Sequence, residues 1–370
     1  MGYARPPMLT QTLQKKLGQF FIIGFHGVTP PPETEWLIQK RNIGGVILFK
    51  GNCPEFEATL ELVHHLKELN LQSPLTMAID HEGGRVHRLP KPFTHFPAMQ
   101  KIGKLYEKLP STKMAFDVGL AMGQELRAAG FHWNFAPVLD VHTNPFNPVI
   151  GDRSFSADPA VVALAACQFI RGLEEAGIAA CGKHFPGHGD TDEDSHEVLP
   201  HLPHNMKRLE SVELIPFEAA IQENVAGIMT AHVVYDGLDQ GLPATFSIKL
   251  LRDLLRDQLG FEGLIVSDDL AMGAISQGTT LEESCVKAFN AGCDVLIIGK
   301  NPQQQALALD TFARAVEEGI IPQEKVEESL ARIEQFNLRY VKKAGGEKPP
   351  LNVIGSVARK NLLSKINQLT

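Results

Sequence analysis

Five short stretches of the 370-residue chain concentrate side chains able to bind charge or move protons. The first runs from Asp80 to Arg88 and sets carboxylates, histidines and arginines around Gly83-Gly84. The second is Asp140 with the later Gly151-Asp152-Arg153-Ser154-Phe155, and the third runs from Lys183 to His196. Met229, Thr230 and His232 form the fourth, and Ser267-Asp268-Asp269 the fifth. Each has a structural reading. The glycine pair can simply shape a turn, with Arg85 and Arg88 paired to nearby acids. Lys183-His184 can be a network under a loop, and Asp268 or Asp269 can cap a helix. Convergence of both charge signs from five stretches onto one face would weigh against all three.

Two chemistries fit such residues. His184, His188, His196, Asp190 and Asp194 are types that hold a metal ion. No HExxH pattern is present, however, and Pro186, Gly187 and Gly189 break any helix that would set His184 and His188 one turn apart. No metal or other cofactor is therefore expected. Arginine and lysine donors beside aspartate acceptors suit a ligand covered in hydroxyl groups, a small carbohydrate. Asp268 or Asp269 can act as a nucleophile toward an anomeric carbon, and the departing oxygen then needs a proton. In an extended segment, residues two apart face the same way, so Asp194 can support His196 as a proton donor and acceptor.

These residues need a scaffold that delivers strand ends to one place. Compact apolar runs occur at Gln19–Phe25, Gly44–Phe49, Leu75–Asp80, His132–Asp140, Ala179–Phe185, Gly227–Val234, Gly263–Asp269 and Asp294–Gly299. They show little polar alternation, as parallel strands buried on both faces should. Helical stretches separate them. Met114, Val118, Met122 and Leu126 form a one-face stripe, and Ser247 and Gly260 stand at the start and stop of an intervening helix. Glu55–Leu69, Pro159–Glu175, Lys207–Glu223, Leu281–Asn290 and Gln303–Glu318 are similar. The pattern predicts an α/β fold, a single-domain (β/α)8 TIM-type barrel over residues 1–345, with the chemistry at the strand C-termini. The rival doubly wound sheet lacks its GxGxxG loop. Helix Gln323–Tyr340 is expected on the barrel exterior, and 346–370 is read as a short C-terminal tail.

Composition excludes other classes. The formal charge of −8 is unsuited to neutralising phosphates, so no nucleic acid is expected. No apolar run reaches the roughly 20 residues that span a bilayer, and MGYARPPMLTQTLQKKLGQFF holds no apolar signal-peptide core. Five scattered cysteines with no CxxC pair read as core thiols in a reducing compartment. A cytoplasmic monomer without a membrane partner is expected.

The segment KHFPGHGDTDEDSH resembles the signature of family-3 glycoside hydrolases, in their β-N-acetylglucosaminidase branch. IDHEGGRVHR, NFAPVLDVHTNP, GDRSF, IMTAHVVY, ATFS and LIVSDDLAMGAI support the resemblance, in family order from about residue 11 to 345. The resemblance implies a barrel enzyme that removes terminal β-linked N-acetylglucosamine with retention, in bacterial peptidoglycan recycling. It implies Asp268 as nucleophile, His196 as acid/base with Asp194 as its partner, and Asp80, Arg88, Arg153, Lys183 and His184 as sugar-binding residues. This chain departs from the family at His81, where the family has glutamine, and beyond Gly345. Two alternatives remain: a phosphorylase using the same dyad, and a catalytically idle sugar-binding barrel.

Overall fold

The computed structural model describes residues 11–69, 72–195, 198–239, 241–276, 278–342 and 347–369. Eight parallel strands close a barrel in sequence order: β1 (Phe21–Ile23), β2 (Gly45–Leu48), β3 (Thr76–Ile79), β4 (Trp133–Asn134), β5 (Ala179–Phe185), β6 (Gly227–Thr230), β7 (Leu264–Asp269) and β8 (Val295–Ile298). β8 pairs back onto β1, with Phe21 opposite Leu296 and Ile23 opposite Ile298. Runs such as Gly-Val-Ile-Leu in β2 and Val-Leu-Ile-Ile in β8 are buried along their whole length. One face of each meets the helical layer and the other the barrel centre, which explains why polar alternation is missing. The (β/α)8 barrel is thus the observed fold.

Local sequence explains the main helices and their limits. Helix Pro159–Glu175 begins where expected: Asp158 accepts from the Ala160 N–H at 2.9 Å, and Pro159 needs no partner at the first helical position. Helix Met114–Ala129 buries Met114, Val118, Met122 and Leu126. The Ser247 hydroxyl accepts from Leu250 N at 3.1 Å before the π-wound helix Lys249–Gln258. Helix Pro32–Lys40, absent from the expectations, carries Pro32 at its start and Glu33 and Glu35 in its first turn.

Three elements differ from expectation. The fourth strand is regular only over Trp133–Asn134, because Pro137 has no N–H to give the ladder. The chain still follows β5 through Leu139 N to Lys183 O at 2.6 Å, and so delivers Asp140 to the barrel mouth. The helix expected over Lys207–Glu223 is two, Met206–Ser211 and Leu214–Gln222. At the break, Glu213 turns inward and pairs with Arg208 at 2.9 Å. Finally, the helix expected over Gln323–Tyr340 on the barrel exterior is Gln323–Phe336 with a π-wound continuation, Asn337–Lys342, and the part of the exterior it covers is the N-terminal mouth. Ile333, Phe336 and Asn337 meet Ile22, Thr76, Trp133, Leu264 and Val295 around a void of about 20 Å³. Phe336 packs on Trp133 with ring centroids 4.5 Å apart. An amphipathic stripe shows that one face is buried, not which surface buries it.

Past this helix, the turn Leu351–Val353 and helix Val357–Leu369 return to the barrel wall. They pack on helix Met114–Ala129, with Ile354 and Ile366 buried.

Candidate active site

The C-terminal mouth of the barrel opens into a cavity of about 280 Å³ whose wall comes from the ends of β3, β5, β6 and β7 and from the loops after β3, β4 and β5. Asp80, Arg88, Arg153, Lys183, His184, Asp194 and Asp268 all line it. His196, the remaining residue named from sequence, lies outside the described residues.

On one wall the charges are tied together. Lys183 Nζ, almost fully buried, donates to Asp80 Oδ1 at 2.8 Å and lies 2.7 Å from Glu82 Oε1. Arg153 grips the same Glu82 through Nε and Nη2, each at 2.8 Å. Burial alone would push the Glu82 carboxyl up, but the two cations beside it outweigh that and hold it far below the carboxylate range. Burial likewise disfavours the charged lysine, yet Asp80 and Glu82 leave Lys183 above its ordinary value. A buried ion pair is stable only when its partners are placed this closely. These cations are therefore fixed in position.

Asp140 organises a second wall. Its Oδ1 accepts the backbone N–H groups of His184 at 3.0 Å and His188 at 2.7 Å, and its Oδ2 accepts from His184 Nδ1 at 2.7 Å. The His188 ring is held by Thr191 Oγ1 and Ser195 Oγ, each at 2.9 Å. Burial pushes His188 down to about 4, so it is neutral in ordinary buffers. Both histidines are thus engaged within the loop. Among the described residues, no group of three or more histidines, cysteines and acids is placed to hold a metal ion.

The two aspartates ending β7 part company. Asp268 faces the cavity. Burial pushes its carboxyl up, but His232, His184, the Asp269 N–H and Lys183 outweigh burial, so it titrates below the usual range. Asp269 turns the other way and accepts from Ala271 N at 3.0 Å and Gly299 N at 2.8 Å. Burial, with the charge of Asp268, raises Asp269 to about 6. Asp269 therefore has a structural role, tying the turn after β7 to the end of β8 without capping a helix. Both arginines of the β3 loop line the cavity, but they differ in their ties. Arg85 pairs with Asp152 at 3.2 Å and donates to the Ile150 carbonyl at 2.9 Å. Among the described residues, the buried Nε of Arg88 has no partner.

Glu82, Asp140 and Ser195 were assigned no role from the sequence, and His188 was weighed only as a metal ligand. Glu82 and Asp140 each follow an apolar run and stand inside a charged stretch, which was the available signal. Nothing in the sequence indicates that Glu82 would bind Arg153, 71 positions away.

A larger hollow of about 540 Å³ lies toward the opposite end, lined by residues including Asn224, Phe261, Arg332 and Arg339. Its cations are already paired, Arg332 to Asp294 at 2.9 Å and Arg339 to Glu174 at 3.0 Å. Larger volume there comes without convergent chemistry.

Residues 12–336 match the glycosyl hydrolase family 3 N-terminal domain. A β-hexosaminidase of Thioalkalivibrio sulfidiphilus is 43% identical over 280 residues, covering 75% of this chain and 79% of that one. The glycoside hydrolase family 3 β-N-acetylglucosaminidase of Paenibacillus sp. FPU-7 superposes with a TM-score of 0.90 at 36% identity, over 98% of this chain and 69% of that one. NagZ of Neisseria gonorrhoeae, solved with N-trifluoroacetyl-D-glucosamine, gives a TM-score of 0.79 at 32% identity, over 95% of this chain and 97% of that one.

Proposed function

This chain belongs to glycosyl hydrolase family 3 and is a glycoside hydrolase, and from that premise we propose that it is a retaining exo-β-N-acetylglucosaminidase. Asp268 attacks C1 while His196 protonates the leaving oxygen. The glycosyl-aspartate is then hydrolysed by water that His196 deprotonates, with Asp194 supporting the charged ring. Asp80, Arg88, Arg153, Lys183 and His184 hold the sugar through its hydroxyl groups. The natural substrate in this reading is a muropeptide bearing N-acetylglucosamine on 1,6-anhydro-N-acetylmuramic acid, handled in the cytoplasm during cell-wall recycling by a monomer. The barrel to residue 345 carries the whole reaction, and 346–370 is an appendage to it.

The observation that carries the proposal is the divergence at the end of β7. Asp268 faces the cavity with cationic and imidazole groups favouring its ionised form, as a nucleophile at neutral pH requires. Asp269 is committed to backbone N–H groups. The test compares turnover of aryl β-N-acetylglucosaminide and aryl β-glucoside by the purified protein, each with and without phosphate. Preference for the first with no phosphate requirement is expected. Strict dependence on phosphate would make it a phosphorylase, and no turnover of either would leave a sugar-binding barrel.

A further inference from the structure

The C-terminal segment, which the catalytic reading leaves without a task, reaches the loop that carries Arg88. Helix Met114–Ala129 presents one buried carboxylate, Glu125, at the junction. Its Oε2 accepts from Thr94 N at 2.8 Å, and its Oε1 accepts from Thr94 Oγ1 at 2.6 Å and from Gly355 N at 2.9 Å. Arg359 adds a cation 3.9 Å from Oε1 and donates to Gln124 Oε1. Loop and C-terminal segment thus share one acid. They also touch directly: a Cβ on Gly355, whose φ is +62°, would lie 2.3 Å from the Pro92 carbonyl oxygen.

From Thr94 the contacts run into the cavity wall. His95 Nε2 lies 2.7 Å from the Gly84 carbonyl, and Gly84 N donates to Phe96 O at 2.9 Å. Gly83 and Gly84, both at positive φ, form the tight turn between Glu82 and Arg88. Glu82 N donates to the Val86 carbonyl at 2.9 Å across that turn. The segment 92–96 is therefore a second layer beneath the residues that face the cavity.

We propose that residues 351–369 form a strap that holds the Arg88 loop in its sugar-binding geometry, with Glu125 as the positioning residue joining strap to loop. This rests on the reading of the cavity as the sugar site. The chemistry favours a shared clamp over incidental packing. Gly355 N–H is one of three donors that fix the Glu125 carboxylate, and Thr94 supplies the other two. Displacing the strap therefore frees the group that grips Thr94 to shift, and the loop with it.

The test uses the full chain carrying Glu125→Gln or Gly355→Ala. Glutamine offers one accepting oxygen where the carboxylate offers two, and alanine drives a methyl group at the Pro92 carbonyl. Neither residue touches the cavity. Amide hydrogen exchange over residues 82–98 reads the strap without any turnover, and KM for aryl β-N-acetylglucosaminide reads its effect on the site. Both variants should speed exchange in that segment and raise KM by about fivefold or more, consistent with partial loss of one charge-assisted contact, while kcat stays within about twofold. Thr94→Val, which cuts only the hydroxyl contact, should give a smaller KM change and covers the case in which Gly355→Ala does not fold. Unchanged exchange would show that there is no strap. Faster exchange with unchanged KM would show that the strap serves stability alone, and either result overturns the proposal. A wild-type chain inert on the glycoside would defeat the sugar-site reading, and with it the proposed purpose of the strap, even if exchange responded as expected.

Discussion

The two ends of this barrel solve different problems with the same strands. At the N-terminal end, Trp133 from β4 and Phe336 from the crossing helix close the centre of the mouth with aromatic carbon, and the buried Asp294 at its rim is held by Arg256, Arg332 and Ser329. At the C-terminal end, Asp80, Glu82, Asp140, Arg153 and Lys183 are buried or nearly so, each against an opposite charge or an imidazole. Burying carbon requires only shape, whereas burying charge requires a named partner at hydrogen-bond distance. A large-to-small change should therefore be felt as stability at one end and as chemistry at the other.

The strongest way to break that contrast is at Asp268. Asp268→Asn should lower kcat by on the order of 10⁴-fold or more, the scale seen when a covalent catalyst loses its nucleophile, with little change in Tm. A slow fluorosugar should leave its adduct on Asp268 in peptide mass spectrometry. Label on Asp269 would reverse the division drawn between the two.

Next in size is His196→Ala. A disaccharide needs its leaving oxygen protonated and a nitrophenyl glycoside hardly does, so kcat/KM should fall about 10²- to 10⁴-fold for the first and much less for the second. Added azide should restore kcat on the activated substrate, because it attacks without a base. Equal losses on both substrates, with no rescue, would assign the proton to another residue.

The opposite end supplies the control. Phe336→Ala should cost about 3–5 kcal/mol of unfolding free energy by removing a buried ring from against Trp133. Its kcat and KM, measured well below the new Tm, should match wild type. A change in KM would mean that the two ends are mechanically coupled.

Smallest is Arg88→Ala, which should lower kcat/KM roughly 10- to 150-fold through loss of one charge-assisted hydrogen bond. Thermal melting should be nearly unaffected, since the buried Arg88 Nε has no partner among the described residues. Normal turnover by this variant would make Arg88 a structural residue like Arg85.

The barrel was legible in the sequence because parallel strands buried on both faces leave unbroken runs such as Val295–Ile298, and capped helices such as Pro159–Glu175 mark their own starts. What escaped was set by contacts between distant positions. Pro137 shortened β4, Glu213 divided a helix, and the crossing helix chose the barrel mouth over its flank. At the cavity, the charged stretches after strand ends pointed to the face, and the seven described residues that line it are ones the family resemblance implies. The wiring was not readable: Lys183 bonds Asp80 across 103 positions, and many other acids could have served. Direction along β7 was also open until Asp269 was seen bonded to Gly299 N.

Asp140 has an effect beyond holding the loop. An ionised carboxylate only accepts, so its 2.7 Å contact places a hydrogen on His184 Nδ1. The ring's Nε2 is then the atom left to meet a ligand. A hydroxyl group can give a hydrogen to that nitrogen or take one from it, whereas an ether or fluorine at the same carbon can only take, so O-methyl and deoxyfluoro sugars should read out, position by position, which hydroxyl sits over His184.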